Sequence, residues 1–214
     1  MSDKKREYIE LAAPQYWFSY AQEHLDLALS TYDRSGGEEI WTVHLDGERK
    51  GREARPVITR PVFLLLGVAI ENLIKGTLIS EDPMLLSGGA LDRKLLGHNL
   101  RKLALQVKCM GFSDQELQLL DLLSDAVPYL GRYPVPKRFE DVRTERFVDQ
   151  EIVGRCELLF QRIALEFYRL NYNGLQAPNG VRFPALRLSH LDSFLDFEVT
   201  YPKWLDQLPS NLSD

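Results

Sequence analysis

The stretch PVFLLLGVAIENLIKGTLIS, residues 61–80, decides how this chain is read. Residues 61–70 carry no charge, and Glu71, Asn72 and Lys75 are the only charged or carboxamide side chains in the run. A helix that is apolar on nearly every side belongs at the centre of a helical assembly. The uncharged part is shorter than the roughly 20 residues a bilayer requires, so a core helix is expected and a membrane span is not. Gly67 and Gly76 lower helix propensity and are expected to admit close approach by neighbouring helices. Glu71 and Lys75, four positions apart, suit an ion pair on one face. The polar trio marks where this helix opens to a cleft or a partner.

Helical periodicity continues on both sides. Residues 14–32 place Trp17, Phe18, Ala21, Leu25, Ala28 and Tyr32 on one stripe, with Pro14 suited to a first turn. Residues 38–55 break the helical pattern. Ile40 to Leu45 alternate, Asp46-Gly47 is a two-residue turn signal, and the return limb is polar, so a small hairpin or ordered loop is expected there. A loop is expected over 84–97 and a short helix over 98–108, stopped by Gly111. Ser113 and Glu116 form a capping-box pattern for a helix ending near Gly131. Residues 133–145 read as an extended loop through Pro134 and Pro136. A last long helix is expected over 146–172, ended by Asn173-Gly174. The remainder, 173–214, is too aromatic for a disordered linker and is expected to pack irregularly on the helices or on a second subunit. The fold class is therefore all-α: a bundle of four to five principal helices with a small hairpin-like insert and an irregular C-terminal tail, forming a single domain over 1–214.

With 214 residues, 44% hydrophobic and 27% charged, the chain can bury one sizeable core. A formal net charge of −5 argues against coating nucleic acid without specificity but leaves room for a local basic site. The two cysteines, Cys109 and Cys156, are expected to be reduced core thiols, and two lone cysteines make no zinc site. His24, His44 and His190 lack ligand spacing, and no nucleotide-loop, dinucleotide or nucleophile-elbow motif is present. No metal and no cofactor are expected. The first residues are basic without an apolar segment behind them, so no signal peptide is read and a cytoplasmic location is expected.

Three phrases fall in order: Ala69-Ile-Glu-Asn-Leu-Ile-Lys75-Gly76 on the central helix, His98-Asn-Leu-Arg-Lys-Leu103 at a helix start, and Arg132-Tyr133-Pro134 ahead of the closing helix. Together they resemble a HEPN domain, the helical-bundle family named for higher eukaryotes and prokaryotes with nucleotide binding. The resemblance covers about residues 14–172, while the insert at 38–55 and the tail after 173 depart from the minimal pattern. It implies homodimerisation through helices, a place in defence, toxin–antitoxin or RNA-processing systems, and binding of RNA, a nucleotide or a partner protein. It also implies that the chain is related to metal-independent endoribonucleases, in which an Arg and a His four to six residues apart act across a dimer cleft.

The chemistry of such cleavage explains the residue types. A neighbouring 2′-hydroxyl must lose a proton and the leaving oxygen must gain one, which His does near neutral pH. The charge growing on phosphate needs a fixed cation, which the Arg fork supplies. The candidate catalytic set is His98 with Arg93 or Arg132. Arg93 and His98 have the family spacing, although Lys94 follows the Arg and the closing helix contains no His, unlike the family's active pattern. The candidate binding set is Glu71, Asn72, Lys75, Arg101 and Tyr133. Other readings stand beside these. His98 could cap backbone amides at a helix start or hydrogen-bond the loop after Gly131, or else His98, Arg101 or Arg132 could contact phosphate. Arg132 could bridge its loop to a carboxylate such as Glu71 while Tyr133 packs. The basic residues of 48–55 with Arg60 either touch phosphate or line a solvated hairpin face. The functional readings are a dimerising, non-catalytic binding protein, a metal-independent endoribonuclease, and a structural or regulatory protein without a nucleic-acid ligand.

Overall fold

The computed structural model describes residues 3–35, 37–45, 51–127, 140 and 147–186. Helices dominate them. In chain order they are α1 (Asp3–Leu11), α2 (Pro14–Arg34), a strand pair β1 (Glu39–His44) and β2 (Gly51–Pro56), α3 (Thr59–Glu81), α4 (Leu100–Ala104), α5 (Asp114–Asp125) and α6 (Gln150–Asn171). A short strand pair, β3 (Leu175–Gln176) and β4 (Arg182–Phe183), follows. The helix α1 lies outside the expected set. Its sequence is strongly charged and buries only Ile9, so it carries no apolar stripe to announce it.

The helix α3 is the central one, as its composition requires: Val62, Leu66, Ala69, Ile70, Leu73, Ile74 and Ile79 are fully enclosed. It is long and apolar enough to cross a membrane, but most of that surface is covered by the rest of the chain, chiefly by α2 and α6. A fully buried Leu, Ile or Phe side chain contributes about 1.5–3 kcal/mol, so this packing dominates the fold. The stripe of α2 is buried through Phe18, Ala21, Leu25 and Ala28. Phe18 stacks on Phe167 of α6 with ring centroids 5.3 Å apart. The two glycines of α3 sit where neighbours come closest. A Cβ on Gly67 would meet Val127 Cγ2 at 2.6 Å, and one on Gly76 would meet Trp17 Cβ at 2.9 Å.

The hairpin forms. Strands β1 and β2 pair antiparallel from Glu39↔Pro56 to His44↔Gly51, and the Asp46-Gly47 turn lies outside the described residues. The expected helix over 98–108 is shorter than its periodicity suggests. Asn99, not His98, caps it, accepting from the Lys102 amide at 2.8 Å. At the other end Gln106 and Val107 bond carbonyls only three residues back. The Glu81 carboxylate then takes the Lys108 and Cys109 amides at 2.8 and 2.6 Å, drawing the chain out of the helix.

The expected loop over 84–97 contains two single 3-10 turns, Pro83–Leu86 and Arg93–Leu95. The capping box at Ser113 and Glu116 is present with both reciprocal bonds. The closing helix begins at Gln150, because the Asp149 carboxylate accepts from the Ile152 amide at 2.8 Å. Its far end is tied down by Asn171. That amide donates to Ser80 Oγ at 2.8 Å, and its backbone carbonyl accepts from Gly174 and Leu186. Both cysteines are free thiols, Cys156 buried and Cys109 half-buried.

Candidate functional site

Glu71 and Lys75 lie one turn apart on α3, both buried, and Lys75 Nζ donates to Glu71 Oε1 at 2.5 Å. The pair expected from the four-residue spacing is thus formed, but in the interior and not on a wet surface. Two charges taken out of water cost several kcal/mol each unless their hydrogen-bonding capacity is filled. A third residue helps to fill it. His98 places Nδ1 3.0 Å from Glu71 Oε1 and 3.2 Å from Oε2, from 27 residues further along the chain.

The position of His98 follows from its flanks. Leu95 and Leu100 on either side of it are fully buried and anchor the segment. Asp92 fixes the preceding 3-10 turn by accepting from the Lys94 amide at 2.9 Å. The Leu100 amide donates to Ser124 Oγ of α5 at 2.8 Å, and Asn99 caps α4. The imidazole is thereby held over the buried carboxylate with its side chain 52% exposed. An ionised carboxylate only accepts, so Nδ1 carries the proton in this contact.

The other expected residues divide. Asn72 donates to the Val68 carbonyl at 2.9 Å, so its amide serves its own helix. Arg101 pairs with Asp121 of α5 at 2.8 Å, joining α4 to α5 on a half-exposed surface. Arg93 sits exposed in its 3-10 turn, and no hydrogen bond or ion pair joins it to His98 or Glu71 among the described residues. Arg132 and Tyr133 lie outside the described residues, as does the Arg132-Tyr133-Pro134 phrase. His98 does not cap backbone amides; that role belongs to Asn99. Nor does a five-residue helix make an anion site of its N-terminus, since the dipole sums over too few peptides.

The contact that sequence reasoning missed is Glu71 with His98. The usable signal was Glu71 itself: a carboxylate inside an apolar helix needs more than one donor, and Lys75 is only one. Periodicity cannot point to the second donor. Along the chain on either side of His98, Arg93, Lys94 and Lys102 are exposed and Arg101 is half-exposed, against one exposed carboxylate in the segment, Asp92. Among the described residues no group of three or more His, Cys, Asp or Glu side chains is placed to hold a metal ion. No family model, no curated protein and no solved structure matches this chain.

Proposed function

We propose that this chain is a HEPN-like, homodimeric helical protein that binds the phosphates of RNA or a nucleotide along the edge spanning residues 93–102, in a prokaryotic defence or stress system. One observation carries the reading. In a chain of net charge −5, the exposed Arg93, Lys94 and Lys102 cluster along the same short segment as His98, whose imidazole is anchored from behind by Glu71. Local positive charge on an acidic protein is what phosphate recognition requires. Arg101 adds a fork whose partner Asp121 is half-exposed and exchangeable with phosphate. The order of the three sequence phrases supports the family and, through it, the dimer. Fluorescence anisotropy with a labelled single-stranded RNA and with labelled nucleotide tests the reading. Binding should weaken with salt and with Lys94→Gln/Lys102→Gln, and sedimentation should give a dimer. Absence of binding to either probe at low salt overturns it.

A second reading, metal-independent cleavage of RNA, is favoured by the bond between the buried Glu71 carboxylate and His98 Nδ1. A carboxylate behind imidazole fixes its tautomer and steadies the imidazolium form during proton transfer. RNA cleavage in the presence of EDTA, lost in His98→Ala, would establish it. Intact RNA across many substrates would remove it.

A further inference from the structure

Among the described residues nothing covers either face of the strand pair β1–β2. Ile40, Trp41, Val43 and Leu45 are 42%, 49%, 55% and 81% exposed, and neither outer edge pairs with another strand among the described residues. A lone two-stranded hairpin is marginal in water, and a third strand with an apolar face is the usual remedy. One face gathers Trp41, Val43 and Ala54, with the Arg52 guanidinium 3.9 Å over the Trp41 ring. The opposite face carries Ile40, Thr42 and the exposed Arg55.

The chain contains a segment suited to that vacancy. Residues 196–201, Asp-Phe-Glu-Val-Thr-Tyr, alternate polar with aromatic or β-branched apolar residues and stop at Pro202. We propose that residues 196–201 of the same chain add to β2 as a third strand, with Phe197, Val199 and Tyr201 joining the Trp41 face and Glu198 meeting Arg55. Length permits it. The described chain ends at Leu186, beside the start of α2, where the Gln15 side chain donates to the Pro184 carbonyl. The hairpin follows the other end of α2. That helix has 21 residues, roughly 31 Å at about 1.5 Å per residue, and residues 187–196 reach up to roughly 33–36 Å when extended. The route is also apolar: Tyr16, Tyr20 and Leu27 share one exposed stripe of α2, and the sequence of 187–196 includes Leu188, Leu191, Phe194 and Leu195.

Hydrogen exchange on the full chain tests the pairing. The amides of 197–201 and of β2 should exchange at least about tenfold more slowly than unprotected peptide. Val199→Pro should release both sets while α3 and α6 keep their protection. Glu198→Arg and Arg55→Glu should each weaken the protection, and the double variant should restore it within one chain. Unprotected amides over 197–201, or a double variant no better than the singles, overturns the proposal. Restoration on mixing the two single variants also overturns it, because the strand would then come from a second copy.

Discussion

Lys75 shows how much one side chain is asked to do. It is buried on the central helix, and its ammonium is the buried counter-charge to Glu71. Removing one member of a buried pair leaves an uncompensated charge, at a cost of about 3–5 kcal/mol. Lys75→Met should therefore destabilise the protein by that amount in urea unfolding near neutral pH. The double variant Glu71→Leu/Lys75→Met should cost far less than the two single changes summed, since it removes the charge along with its partner. Additive costs would show that the pair does not act as a unit. His98 contributes differently. It is half-exposed, so replacing it removes a donor from Glu71 while water can reach the vacancy, and its loss should be felt in ligand handling more than in stability.

At the scale of elements, the helix ends and the close crossings are the sensitive points. Ser113 and Glu116 close the start of α5 with reciprocal bonds. Ser113→Ala should cost about 0.5–2 kcal/mol, the usual worth of an N-cap, measured as a lower urea midpoint at unchanged slope. At the crossing of α3 with α2 and α6, Gly76→Ala sets two effects against each other. Alanine gains about 1 kcal/mol of helix propensity over glycine. Its Cβ would stand 2.9 Å from Trp17 Cβ and 3.2 Å from the Phe167 ring, and overpacking typically costs about 1–3 kcal/mol. Because Trp17 Cβ is fixed to the α2 backbone, the clash should win, with a lower Tm. A higher Tm would mean the helices can separate freely. Two long side chains join α6 to the start of α5: Arg162 bonds Glu116 Oε1 at 2.6 Å and the Gly111 carbonyl at 3.0 Å, and Arg155 bonds the Gln115 carbonyl at 3.1 Å.

Across the whole molecule, the thiols link stability to pH. Burial pushes Cys156 up to about 12. Burial first, and then the hydrogen bond and charge of Glu81, push Cys109 up to about 12. Both thiols stay protonated in the folded state while an unfolded thiol ionises near 9.0. From about pH 9 to about pH 12 the folded chain therefore holds protons that the unfolded chain has released, and stability falls as pH rises. Urea unfolding should give a lower stability at about pH 10.5 than at about pH 8. Cys156→Val, similar in size and unable to ionise, should lose less over the same interval. An equal loss would assign the alkaline effect to other groups. The same protonation should keep both thiols slow toward alkylating reagents near pH 8 until the protein unfolds.

Much of this architecture is legible in local signals that act within one or two helical turns. The apolar run of α3, the stripe of α2, the Ser113 cap, the hairpin's alternation and the Glu71–Lys75 spacing each need only near neighbours in the chain, so composition and periodicity dictate them. What folding decided are the contacts between distant residues. Glu71 takes its second donor from His98, 27 residues on, and Ser80 receives Asn171 from 91 residues on. Glu81 reaches 27 and 28 residues ahead to end the turn after α4. A polar atom enclosed by apolar packing must find a partner wherever the crossing chain brings one, because leaving it bare costs about 1–3 kcal/mol. Local pattern therefore selects the helices, and the desolvation of a few buried polar groups selects how they meet.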